Sequence, residues 1–337
     1  MTAREKTMLA VMAAVTVAVL LAAPFIGMER ITPASLSEGE GMSAEIFWRI
    51  RGPRVLTGFI AGAALALSGM AFQAVFRNPL ATPFTLGVSS GAAFGASLYL
   101  KAGLIFGLAW LPGQSITAFI WAVIAIALVY GLTRVRRGFS TATMLIAGVA
   151  INFFFSSLIL FMQYMSDFTQ SFRIVRWLMG GVETIGYSDV WTLLPFIVFG
   201  SAIVFASLRE LDLLALGDDI AAGRGVDVKG TRRRIFIAAS LLVGGVVSVC
   251  GPIAFVGMMA PHICRLLVGE GHTRLAPASF LFGGTFLVLC DTLARTVISP
   301  AEIPVGVITS LLGGPFFLWL LLGGAAEKSL IYGRETT

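Results

Sequence analysis

The run VLTGFIAGAALALSGMAFQAVF, Val55 to Phe76, holds no charged residue and is rich in Ala, Gly and Leu. About 20 apolar residues in a helix cross the roughly 30 Å hydrocarbon layer of a bilayer. A transmembrane barrel strand would instead alternate apolar and polar residues over about 10 positions, and this run does not alternate. Gly58, Gly62 and Ala66 recur at four-residue spacing, leaving one helix face smooth enough for a second helix to approach closely. The run therefore predicts a membrane helix packed on that face against protein.

Composition extends this reading to the whole chain. Of 337 residues, 57% are apolar and only 12% are charged, where soluble domains carry roughly 25% charged residues. The expected fold class is an all-α polytopic membrane protein of about ten transmembrane helices, forming a single domain over residues 1–337. The net charge of +6 would in a soluble protein suggest nucleic acid as a partner; here the excess of basic residues on cytoplasmic loops explains it, and no nucleic acid is expected. Cys250, Cys264 and Cys290 lack paired spacing, so they read as packing residues, with no disulfide framework and no metal site.

Further spans lie on both sides of Val55–Phe76. Met1 to Lys6 is short and basic, and Thr7 to Ile26 reads as an uncleaved first helix despite its likeness to a signal peptide. Residues 27–54 form an outside segment with room for a short interfacial helix. In RNPLATPFTLGVSSGAAFGA, Arg77 to Ala96, Pro79 and Pro83 stop one helix and small residues open the next; residues 84–114 have room for a second short helix. Spans follow at 115–132 and 142–164, around a turn with Arg134, Arg136 and Arg137. A second outside segment, 165–189, contains the amphipathic stretch RIVRWLMGG, and another span covers 190–208. The apolar stretch 235–268 divides in two at Cys250-Gly251-Pro252, and the last spans are 275–298 and 304–322. Placing both termini in the cytoplasm puts sixteen of the 24 basic residues on cytoplasmic segments, the expected sign.

Between the two groups of spans lies one long polar run, RELDLLALGDDIAAGRGVDVKGTRRR, Arg209 to Arg234. Here the chain can meet a water-soluble partner. No constellation of acid, base and nucleophile marks an enzyme. The nearest imitation of a phosphate-binding loop, GGAAEKS from Gly323 to Ser329, has Glu327 where a glycine should precede the lysine, so ATP binding is not expected of this chain. Asp291 and Arg295 are the plausible intramembrane charges, and their spacing suits a mutual helical ion pair. His262 and His272 read as local structure or partner contacts.

Five motifs carry a family resemblance. Arg77-Asn78-Pro79-Leu80-Ala81 with Leu86-Gly87-Val88-Ser89-Ser90-Gly91-Ala92, then Trp177-Leu178-Met179-Gly180, Gly251-Pro252-Ile253-Ala254-Phe255-Val256-Gly257, Pro261-His262-Ile263-Cys264-Arg265-Leu266 and Glu302-Ile303-Pro304-Val305-Gly306 resemble the FecCD (BtuC-like) permeases of type II ABC importers. The resemblance runs from about Arg51 to Leu322. It implies a multi-pass permease in the bacterial cytoplasmic (inner) membrane that moves a ferric siderophore, haem or cobalamin inward. It also implies a second permease subunit, as a homodimer or a pseudo-dimer, two ATP-binding cassette subunits, and a periplasmic or lipoprotein substrate-binding protein. ATP and Mg would sit on the partner ATPase, with no cofactor on this chain.

The resemblance implies site residues as well. Leu216, Gly217, Asp218, Asp219, Ala221, Ala222, Gly225 and Val226, in the coupling loop 209–234, would couple to the ATPase. Asn78, Leu80, Ser140 and Thr141 would form a cytoplasmic gate, although turn chemistry alone also explains Asn78-Pro79. Arg51, Arg54 and Arg295 would be exposed for docking the binding protein's carboxylates; alternatively Arg51 and Arg54 anchor a helix end, and Asp291 competes for Arg295. Gly223 adds a glycine where relatives carry a helix former, which would loosen the coupling helix. Ser68, Gln73, Ser89 and Ser90 are candidate path residues. An ion-gradient carrier relying on Asp291 and Arg295 is the alternative, a non-transport scaffold a third reading. The substrate stays open between chelated iron, haem, cobalamin and an oxyanion.

Overall fold

The computed structural model describes residues 3–29, 31–37, 41–108, 111–135 and 141–322. Arg136, Arg137, Ser140 and the GGAAEKS stretch lie outside the described residues. The chain is helical almost throughout: α1 (Ala3–Ala22), α2 (Pro33–Ser37), α3 (Met42–Glu45), α4 (Gly52–Phe76), α5 (Val88–Lys101), α6 (Gly113–Val135), α7 (Thr141–Tyr164), α8 (Phe168–Leu178), α9 (Ser188–Ala206), α10 (Leu208–Leu216), α11 (Asp218–Gly223), α12 (Val228–Cys250), α13 (Val256–Val268), α14 (His272–Ala294) and α15 (Val305–Leu322). A two-residue hairpin, β1 (Gly107–Leu108) with β2 (Leu111–Pro112), joins α5 to α6.

Seven of the described helical stretches are long and apolar enough to cross a membrane, and α13 and α15 are shorter apolar helices. With α5, ten helices alternate in direction between two ends. One end is marked by Arg51, Arg54 and Glu302, the other by Arg77 and α11. The first and last described helices, α1 and α15, both have their outer termini toward the Arg77 end. There Arg274, in the first turn of α14, pairs with Glu5 near the start of α1.

Helix α4 is the axis. Every residue from Ala61 to Phe76 is buried, and α14, α12, α13 and α9 pack around it. The smooth face expected from Gly58, Gly62 and Ala66 meets α14: a Cβ at Gly62 would fall on the Gly283 carbonyl, and Ala66 lies where a Cβ at Gly283 would go. A Cβ at Gly69 would likewise fall on the backbone of Gly257 at the start of α13. Since lipid is as apolar as a side chain, such close approach is how membrane helices gain association energy.

Within the outside segment 27–54, where a short interfacial helix was allowed for, residues 42–51 are helical, π-type over Ile46–Arg51, and run straight into α4. The polar run 209–234 carries the short helices expected of a coupling segment: it holds most of α10, all of α11 and the first two turns of α12. Between α4 and α5 the only helical piece is a short 3-10 turn, Pro83–Leu86. The division at Cys250-Gly251-Pro252 falls where α12 ends, and residues 251–255 are irregular.

Gly69→Ala should cost about 1–3 kcal/mol or more, because its methyl group meets backbone that cannot yield. Gly131→Ala, in α6 with open space around it, should gain up to about 1 kcal/mol. Thermal unfolding of both variants in detergent measures the contrast.

Candidate functional site

The polar segment at the Arg77 end is held by a set of ion pairs. Leu211 and Leu214 bury one face of α10. Asp212 on that helix accepts from the His272 backbone N–H at 2.8 Å and meets His272 Nδ1 at 2.7 Å. Glu210 takes Thr231 Oγ1–H at 3.0 Å and Arg234 at 2.9 Å from α12. Burial raises the Asp212 carboxyl, but hydrogen bonds and charge from His272 outweigh it and leave the group below its ordinary value.

Gly217, at φ 130°, separates α10 from α11. Asp218 opens α11 and contacts Arg232 of α12 at 2.7 Å and Arg77 at 3.3 Å. Ala221 is fully buried, while Leu216, Asp219, Ile220 and Ala222 are exposed. The segment thus presents a small surface of two apolar side chains, one carboxylate and one methyl group. Gly225 turns the chain at φ 82°, Val226 is half-buried, and Asp227 caps α12 by accepting from Gly230 N–H at 3.0 Å. Gly223 is the last residue of α11 and has open space around it. The loosening expected from a glycine inside this helix therefore does not arise.

The loop after α4 begins with Arg77 in the left-handed region, φ 47°. Asn78 closes the turn: its Oδ1 accepts from Leu80 N–H at 2.9 Å and its carbonyl from Ala81 N–H at 3.0 Å. Turn chemistry accounts for Asn78 fully, whereas Leu80 is 49% exposed. Leu80, Phe255 and Met258 together border two apolar hollows, of about 170 and 510 Å³. Thr141 opens α7.

Of the path candidates, Gln73 is buried between helices, taking Arg265 Nη1–H at 2.6 Å on its Oε1, and Ser68 is buried and bonded to the Leu65 carbonyl. Ser68 lies on the lining of the hollow of about 170 Å³ beside Leu80 and Phe255, whereas Gln73 borders none of the hollows described. Ser89 and Ser90 do border a groove of about 410 Å³, together with Asn152, Ser156 and Gln163.

At the opposite end the arginines are not exposed. Arg51, Arg54 and Arg295 are each only 6% accessible. Arg51 donates to the carbonyls of Pro24, Phe25 and Glu29. Arg54 grips Asp291 with Nε and Nη2 at 2.9–3.1 Å and Glu302 with Nη1 at 2.8 Å. Arg295 donates to the Ala23 carbonyl at 2.7 Å and lies 3.8 Å from Asp291. The expected Asp291–Arg295 pair is present but long; the close partner of Asp291 is Arg54, far away in sequence. Two buried charges in low-dielectric surroundings require such a bidentate fit. The three guanidinium groups are spent on the protein itself, a correction to their expected exposure.

Removing one partner strands the other, so Asp291→Asn or Arg54→Ala should each cost about 3–5 kcal/mol, with the double variant costing less than the sum in a thermal-melt cycle. Asp212 gives a pH-dependent effect. Its lowered carboxyl contributes stability above its unfolded value, lost as pH falls through the folded value. Asp212→Asn should therefore lower stability at neutral pH by about 1 kcal/mol at most, given its partial exposure, and the difference should vanish in acid melts.

Residues 9–323 match the FecCD transport family. The ABC transporter permease protein YvrB of Bacillus subtilis (strain 168) is 42% identical over 86% of this chain and 82% of its own. The hemin transport system permease protein HmuU of Yersinia pestis is 38% identical over 84% and 85%. The vitamin B12 import system permease protein BtuC of Salmonella newport (strain SL254) is 37% identical over 86% and 88%. A solved inward-facing conformation of a putative metal-chelate type ABC transporter superposes with TM-score 0.83 at 31% identity, covering 94% of this chain and 99% of that one. With its ten alternating helices and these matches along nearly its full length, the chain belongs to the FecCD transport family.

Proposed function

We infer that the chain is the membrane permease of an ABC importer for an iron chelate, haem or cobalamin; the names of its relatives give hemin, vitamin B12 and a metal chelate as cargo. The observation that carries this is the match over residues 9–323, joined to permeases on both sides of the cargo difference. ATP binding and hydrolysis, with Mg, belong to two cassette subunits. A second copy completes the permease, and a substrate-binding protein delivers cargo. The Arg77 end faces the cytoplasm, where the basic residues are in excess, and both termini lie there.

Leu216, Asp219, Ile220 and Ala222 form the surface that meets the ATPase, over the buried Ala221. Gly217, Gly225 and Val226 shape it, and Asp218 fastens it. Leu80 is the gate residue, with Asn78 setting its turn; Ser140 and Thr141 are the further gate residues that the family resemblance implies. At the outer end, Arg51, Arg54 and Arg295 line a hollow of about 280 Å³ with Glu29 and Glu302. A carboxylate of the binding protein reaches Arg54 there by displacing Glu302, which is 39% exposed, rather than by meeting a free arginine.

The ion-gradient reading draws no support from Asp291, because that carboxylate is committed to Arg54. The test is a pull-down from membranes of the native host with mild detergent. An ATPase should copurify with the intact chain and fall about tenfold or more with Ala222→Trp, the effect of a misfit at a packed interface. Absence of any ATPase from the intact chain would overturn the reading.

A further inference from the structure

Asp218 of the coupling segment touches both α12 and the loop after α4. Its Oδ1 lies 2.7 Å from Arg232 Nη2 and 3.3 Å from Arg77 Nη2. The two contacts differ in kind. The Arg232 side chain is 11% exposed, so this pair is shielded; the Arg77 side chain is 46% exposed, so that pair is screened and easily exchanged.

Each side of the second contact is mechanically simple. Glycines in the positive-φ region, Gly217 and Gly225, bound α11 at its two ends, so the short helix can reorient as a unit. Arg77 belongs to a closed turn in which Asn78 bonds Leu80 and Ala81, and Pro79 fixes one more dihedral. Arg77 and Leu80 thus belong to one closed turn, and Leu80 borders the same hollows as Phe255 and Met258.

We propose that the Arg77–Asp218 pair is the link that carries movement of α11 to the Leu80 turn, with Arg77 a positioning residue for the gate. This rests on the ABC permease reading. Leu80 then answers to the nucleotide state of the ATPase through one exchangeable ion pair.

The test uses the complex of the full chain with the ATPase that copurifies from its host, carrying Leu80→Cys. The readout is the rate of maleimide reaction at that position, without nucleotide and with ATP plus vanadate; the native cysteines are buried. The rate should change by about fivefold or more between the two states, the scale of coupling between distant sites. Arg77→Ala should abolish that change while the ATPase still copurifies in equal amount, and Arg77→Lys, which keeps the charge, should restore it. Asp218→Asn should likewise abolish the change in maleimide rate. A response to nucleotide that survives Arg77→Ala overturns the link alone, as does an intact chain that holds its ATPase but shows no response at Leu80→Cys. Loss of the ATPase from Arg77→Ala assigns the residue to docking and also overturns it. Failure of the intact chain to capture an ATPase overturns the permease reading itself.

Discussion

Close backbone contact along α4 is the constraint on which the rest depends. Gly62 against Gly283 and Gly69 against Gly257 bring three helices to distances that admit no Cβ. In lipid no hydrophobic gain separates helix–helix from helix–lipid contact, so shape fit and dispersion must hold the bundle. Burying α4 from Ala61 to Phe76 also fixes where its two ends emerge. One delivers Arg54 to Asp291; the other delivers Arg77 to Asp218. Both polar clusters are consequences of one tightly packed axis.

That packing also explains how an irregular stretch survives inside the bundle. Residues 251–255 leave the helical ladder, and unsatisfied backbone groups in a membrane are costly unless protein supplies partners. Here Gly181 N–H donates to the Cys250 carbonyl at 2.8 Å, and Gly306 N–H to the Gly180 carbonyl at 3.2 Å. Trp177 to Gly180, Gly251-Pro252 and Val305-Gly306 therefore meet as one knot, although they lie in separate stretches of sequence. Phe255 leaves the knot at φ 67°, with its ring over Gly313, and α13 starts from it. A non-glycine residue in this region carries strain that surrounding contacts must over-determine, and the Gly313 seat supplies that.

How much of this could be read from the amino acids depends on the range of the interaction. The spans were legible because about 20 apolar residues make a strong local signal, and the break at Gly251-Pro252 because proline and glycine act locally. The π-helical run into α4 was not, since Arg49, Arg51 and Arg54 look like loop charges until Asp291 and the Pro24 carbonyl are seen to receive two of them. Arg295 and Asp291 were paired by their spacing, yet Arg54 holds the carboxylate from 237 positions away, a distance that no local pattern encodes. The polar run was recognisable as a solvent-facing segment. Its division into two helices hangs on Gly217, whose positive φ no charge pattern reveals.

The two ends differ in how firmly they hold charge, and this difference has a physical direction. At the Arg51 end, Arg54 and Asp291 are both nearly inaccessible and bidentate, so breaking the pair would expose two ions to low dielectric. At the Arg77 end the pairs made by Asp218, Glu210 and Asp212 each retain substantial exposure on at least one side, so water can replace either partner at small cost. A rearrangement that exchanges partners at the Arg77 end therefore costs less than one that parts Arg54 from Asp291.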